Sequence, residues 1–351
     1  MDLMQSWPKP SRTTPTVVIG AGSIVVDAHL PTYRSEQIEV AGIFDINQAR
    51  AQEVATQWGI QRVFATLDDA VVHGTDVIYD LALPPTAIAQ TLRQIPEGAT
   101  VLIQKPMGAN FEQAKEILQI CRDRDLKAGI NFQLRFSPQM LAVRDALSKG
   151  VLGELLEIEM HLNVKTPWEL WPFLEELERI EIAVHSIHYL DLIRSLVGVP
   201  KGVFARTIGD PRSAKMAQTR TSAILDYGDR LRCTLSLNHN HDYGRKFQEC
   251  SFRFEGDKGA IVTQIGVNLN YPEGEPDELW LATHEQQWQE VPLEGSWFPD
   301  AFSGIFRNVQ RFHIGEDEAL ETNVENCLET MALVEACFEA NEVPAHPLPK
   351  I

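Results

Sequence analysis

Hydrophobic and polar positions follow two different rhythms along the chain. From Thr14 to about Asn131, short apolar runs alternate with segments of helical spacing. "TVVIGAG" reads as a strand entering a glycine turn, residues 24–34 as a helix, and "IEVAGIFD" as a second strand before the helix of "INQARAQEVATQWG". "RVFA", "DVIYDLAL", "TVLIQKP" and "KAGINF" are further strands, separated by helices such as "NFEQAKEILQICRDRD". Strands apolar throughout and joined by helices predict a parallel sheet wrapped on both faces.

The second half has period two. "LLEIEMHLNV" puts Leu156, Ile158, Met160, Leu162 and Val164 on one face, and "RLRCTLSLN" repeats the pattern. "TSAILDYG", "CSFRFEG", "GAIVTQIG" and "DELWLATH" continue it. Such alternation predicts a large, open, mainly antiparallel sheet with one covered face, in an α+β domain. Helices near 138–149, 181–197, 300–314 and 323–341 are expected to cover it. The division predicted is a tail over 1–13, a first domain with the parallel sheet over 14–131, and a second with the open sheet over 132–351.

Composition narrows the class. The 351 residues carry 31 Lys+Arg against 49 Asp+Glu, a formal charge of −18. Such acidity with no basic cluster excludes a nucleic-acid partner. The longest apolar runs fall short of the 18 or so residues of a membrane span, so no membrane partner is expected. Cys121, Cys233, Cys250, Cys327 and Cys337 are odd in number, far apart and without a C-x-x-C. That is the usage of reduced core thiols, and with no apolar leader at the N-terminus it predicts a cytoplasmic protein.

Two stretches carry candidate chemistry. Gly20-Ala21-Gly22 follows a strand and opens a helix, where Gly20 permits a tight turn and Gly22 lets backbone approach a pyrophosphate. Asp45, at the end of the next strand, suits the adenosine ribose hydroxyls and would repel a 2′-phosphate, so NAD is favoured over NADP. Asp45 also suits a helix cap, and Arg50 softens the preference. In "EIAVHSIHYLD", Glu181, His185 and His188 fall within about 60° of one another on a regular helix. They suit a metal, an acid/base pair or plain helix polarity. "NHNHD" at 238–242 is the rival histidine cluster, with His239 and His241 on one face of a strand.

At "IQKPMG" (103–108) the chain resembles the glucose–fructose oxidoreductase and inositol dehydrogenase family. "AHLP" at 28–31, "NFQLRFSP" at 131–138, "GVLGEL" at 150–155 and "HYLDLIRSLVG" at 188–198 resemble it too. The family usually has Glu-Lys-Pro where Gln104, Lys105 and Pro106 stand. Its Asp-x-Gly-x-His falls on Val184, Ser186 and His188, with Asp191 three residues on. The resemblance implies a Rossmann dinucleotide-binding domain over 14–131, a substrate and oligomerisation domain over 132–351, and a nicotinamide between them with Lys105 and His188 at the reacting carbon. Either His188 or Lys105 is the base; with His188 taking the hydroxyl proton, Lys105 steadies the oxygen where negative charge develops. Val184 replaces the Asp of the usual relay, leaving Glu181 or His185 to orient His188. Ser23, Ile24, Leu83, Pro84, Gln104 and Arg135 join the cofactor contacts. Arg135, Trp168 and Trp171, with Lys105, His185 and His188, are assigned to substrate, the tryptophans as faces for a carbohydrate. No metal is expected, since the family supplies none.

The function expected is an NAD-dependent oxidoreductase moving hydride between a sugar, polyol or sugar-acid hydroxyl and nicotinamide, in a homodimer or homotetramer. The alternatives are a closed redox cycle on tightly held NAD, with an isomerase or lyase outcome, and a catalytically silent dinucleotide binder.

Overall fold

The computed structural model describes residues 2–349. The chain forms two compact units. One runs up to Ala142 and takes in Glu294–Met331; the other comprises Val143–Leu293 and the chain from Ala332 onward. The first unit therefore departs from the continuous 14–131 domain read from periodicity.

Its sheet contains β1 (Thr16–Ile19), β2 (Val40–Phe44), β3 (Ile78–Leu81), β4 (Thr100–Ile103) and β5 (Lys127–Ile130). The strands are all parallel, in the order β2-β1-β3-β4-β5. Every residue of β1, β3 and β4 is buried, as the unbroken apolar runs require. "RVFA" contributes only a bridge from Val63 to Ile43. Asn47 and Asn110 cap the helices Gln48–Trp58 and Phe111–Asp123 through side-chain acceptors.

The helix Asp300–His313 was expected on the second sheet, but it belongs to this first unit. Its Phe302 and Phe306 pack on His29, and Phe306 also stacks on Tyr33. Arg307 grips Glu36 through two hydrogen bonds of 2.7 and 2.8 Å. Gln310 pairs with both backbone groups of Thr14. Thr322 O accepts from Ile130 N, and Asn323 bridges Gly129, so this segment covers the outer edge of β5. Apolar periodicity marks a buried helix face without saying which core buries it.

The second unit holds an eight-stranded sheet of β6 (Leu155–Asn163), β7 (Gly202–Ile208), β8 (Arg220–Asp226), β9 (Arg232–Asn238), β10 (Glu249–Gly256), β11 (Gly259–Gln264), β12 (Glu278–Thr283) and β13 (Gln286–Glu290). The order is β13-β12-β11-β10-β6-β9-β8-β7, antiparallel except for the parallel pair β6–β9. β7 and β13 lie at the two edges and escape the sequence pattern: β7 buries only Thr207, and β13 is exposed throughout. Together the units make a mixed α/β protein.

Candidate functional site

At the end of β1, Gly20 adopts φ +113°, and a Cβ there would collide with the Ala82 carbonyl oxygen. This close approach requires glycine. Gly22 differs: a Cβ on it would meet nothing within 4 Å. Gly22 and Ser23 are exposed and Ile24 is half-buried, so backbone lies open at the start of the following helix. Val25, standing at the third glycine position, is fully buried and begins a π-helical turn, Val25–His29, which passes into the helix Leu30–Ser35.

Asp45 binds this turn directly. One carboxylate oxygen accepts from Ala21 N at 2.7 Å and the other from Asn47 N at 2.8 Å. Arg50 Nε donates to Ala21 O at 3.0 Å, and Arg50 also pairs with Glu53. The helix cap falls to Asn47, leaving Asp45 to join the glycine turn to the second strand. A glycine turn with open backbone and a carboxylate at the end of the next strand fit a dinucleotide.

Below the turn, Asp80 is a paired core charge. Its Oδ2 accepts from Tyr33 Oη and from His29 Nδ1, each at 2.7 Å, and His29 Nε2 meets Asn131 Nδ2 at 3.2 Å. Burial, then the Asp80 carboxylate, pushes the Tyr33 hydroxyl well above its ordinary range. Asp80 stands out as a charge in an apolar run. Its partners, 51 and 47 residues away in sequence, leave no spacing to read.

After β3 come half-buried Leu83 and exposed Pro84, the latter at the start of the helix Pro85–Leu92. After β4, Gln104 N donates to Leu81 O, and Gln104 Oε1 accepts from Lys105 N at 2.8 Å. The Gln in place of the family Glu is thus engaged with local backbone. Lys105 precedes a cis peptide bond to Pro106, and burial lowers its ammonium from 10.5 to about 8. Arg135, buried in the turn Gln133–Phe136, donates to Glu321 O at 2.9 Å, which ties β5's exit to the returning segment.

In the second unit the histidine segment is not one regular helix. Glu181–His185 is a π-helical turn, closed by Ser186 N donating to Glu181 O, and a helix then runs over Ile187–Val197. The angular arithmetic of a continuous α-helix therefore fails here. His188, 4% exposed, stands in the first turn of the α-helix, with buried Asp191 beyond it. Glu181, 0% exposed, accepts from the hydroxyls of Ser186 and Thr221, and its Oε1 lies 3.2 Å from His239 Nε2. His185 and His239 meet edge to face at 4.4 Å between ring centroids.

His239 follows β9 rather than extending it, and His241 lies apart against Tyr243. Trp168, 7% exposed, packs on His239 and belongs to an apolar cluster with Leu174, Ile180 and Met216. Trp168 thus stands inside this loop's apolar cluster, with its ring against His239. Half-buried Trp171 lies near Tyr271. All five cysteines are buried and free. Among the described residues no helix is long and apolar enough to cross a membrane.

Comparisons with known proteins agree with this arrangement. Residues 15–132 match the model of an oxidoreductase family with an NAD-binding Rossmann fold, and residues 140–262 match the same family's C-terminal domain. A 1,5-anhydro-D-fructose reductase of Ensifer adhaerens is 24% identical over 70% of this chain and 74% of its own. A D-apiose dehydrogenase of Rhizobium rhizogenes is 24% identical over 92% of this chain and 94% of its own. In fold, the chain is similar to an oxidoreductase from Agrobacterium radiobacter solved with NAD+, L-tartaric acid and magnesium. The TM-score is 0.80 at 20% identity, covering 94% of this chain and 96% of that one. The chain belongs to the GFO/IDH/MocA family and is an NAD(P)-dependent oxidoreductase acting on CH–OH groups.

Proposed function

We propose that the protein oxidises a hydroxyl of a sugar, polyol or sugar acid with NAD. The observation carrying this reading is the lysine that follows β4, whose ammonium burial brings to about 8. Bound NAD would accept hydride from the alcohol carbon. Gly20, Gly22, Ser23 and Ile24 would hold its pyrophosphate on open backbone, with Leu83, Pro84, Gln104 and Arg135 as further cofactor contacts. Asp45 would take the ribose hydroxyls and disfavour a 2′-phosphate. Lys105, as ammonium, steadies the hydroxyl oxygen as it gains negative charge. His188 accepts the proton. Trp168 and Trp171 are proposed to offer faces to the sugar, and His185 and Glu181 to support His188.

The sugar reductase and sugar dehydrogenase names among the relatives support the sugar class of substrate. On β7 and β8, Phe204 and Ile224 are exposed directly opposite one another, which supports a dimer or tetramer built on that sheet.

A panel of sugars and sugar acids with NAD and NADP, read as NADH or NADPH formation, tests the reading. Net reduction of NAD that Lys105→Ala and His188→Ala each lower by at least about 100-fold is expected. Turnover of a sugar without net NADH would replace dehydrogenation by the closed redox cycle. Undiminished activity in Lys105→Ala would remove the assignment.

A further inference from the structure

The fold joins two histidine clusters that lie 54 to 58 residues apart in sequence. The π-helical turn offers Glu181 and His185, and the chain leaving β9 offers His239. One ligand-type atom from each residue lies within 4.8 Å of the other two. We propose that these three side chains form a binding site for one divalent transition metal of the zinc type.

The donor set is the first argument. Two imidazoles and a carboxylate suit zinc, cobalt or iron(II) and are a poor set for magnesium or calcium, which prefer all-oxygen shells. Distances are the second. Metal bonds of about 2.0–2.1 Å in a tetrahedron put ligand atoms about 3.3 Å apart. Glu181 Oε1 and His239 Nε2 already stand at 3.2 Å. His185, the half-buried member, has its ligand atom within 4.8 Å of the other two and closes the triangle by side-chain rotation.

The surroundings are the third argument. His239 Nδ1 is held by the Thr166 hydroxyl at 2.7 Å, which leaves Nε2 as the ring atom facing Glu181. The Ser186 and Thr221 hydroxyls orient the Glu181 carboxylate. Outer contacts of this kind set the tautomer of a ligating histidine and the direction of a ligating carboxylate. Trp168 walls the cluster on the His239 side, and Glu181 and His239 are 0% exposed while His185 keeps a partly open side. Three protein ligands with one open side make a site that keeps a coordination position for water or a ligand oxygen.

The test uses the full chain freed of metal by a chelator and then titrated with cobalt(II). The expected result is one equivalent bound per chain, with the visible bands of low-coordinate cobalt, and displacement of those bands by zinc. His185→Ala and His239→Gln are each expected to weaken cobalt binding by at least about 100-fold, and Thr166→Val by about 10-fold. His185→Ala carries the test if His239→Gln does not fold, since His185 is the least buried of the three. Absence of the bands, or bands unchanged in His185→Ala, overturns the proposal and leaves a hydrogen-bonded Glu181–His239 pair. NADH binding to the same samples reports the dinucleotide site alone, so failure of the metal site and failure of the dehydrogenase reading are separable.

Discussion

Replacing Asp80 by alanine removes the single oxygen shared by two buried donors. Oδ2 accepts from Tyr33 Oη and His29 Nδ1 at 2.7 Å, and none of the three residues exceeds 2% exposure. Each donor left without a partner in such a place costs about 1–3 kcal/mol. Two together cost about 4 kcal/mol, and relief of the carboxylate's own burial returns about 1 kcal/mol, for a net loss of about 3 kcal/mol. At about 2 kcal/mol per M of urea, the unfolding midpoint of the first unit should fall by about 1.5 M. Hydrogen exchange of β1 and β3 amides across a urea series isolates that unit from the other. Tyr33→Phe removes one donor and leaves His29 with its acceptor, so it should cost about 1 kcal/mol. A midpoint shift below about 0.5 M for Asp80→Ala, or an equal loss in Tyr33→Phe, would refute the account of a shared acceptor.

Four further outcomes are expected. Gly20→Ala should destabilise the first unit by at least about 2 kcal/mol, because φ +113° and the Ala82 oxygen both oppose a Cβ. Gly22→Ala should leave thermal stability unchanged and weaken NADH binding by at least about 10-fold, read by fluorescence titration. Lys105 is charged below about 8 and neutral above it, so the oxidation rate should fall on the alkaline side of about 8. Any residual activity of Lys105→Arg should lack that limb in a kcat/KM profile. Burial pushes the Glu36 carboxyl up, but the Arg307 guanidinium outweighs it and holds it below its ordinary 4.5. Its contribution is therefore present above 4.5 and lost as pH falls below it. Arg307→Ala should cost about 2 kcal/mol at pH 7 and progressively less under acid, measured by thermal unfolding.

Periodicity carried the sheets because each strand's burial is a local matter. The runs at β1, β3 and β4 are apolar at every position, and β6 alternates, so both patterns are written in consecutive residues. The glycine turn and Asp45 were legible for the same reason: the chemistry sits within one strand–turn–helix–strand unit. The edge strands β7 and β13 were not, since an edge buries too little to leave a rhythm. The Glu181 environment lay further out of reach. A π-helical turn rotates its side chains away from the regular angle, and His239 arrives from the chain that leaves β9.

The return of Glu294–Met331 to the first unit has a consequence for synthesis. As the chain leaves the ribosome, β1 to β5 emerge without Phe302 and Phe306 against His29, without Arg307 for Glu36, and with the edge of β5 bare. The nucleotide half must wait for nearly the whole polypeptide before it can close, while the large sheet can complete earlier. Any attempt to express that half alone by stopping after Asn131 would yield an unfinished core and a sticky strand edge.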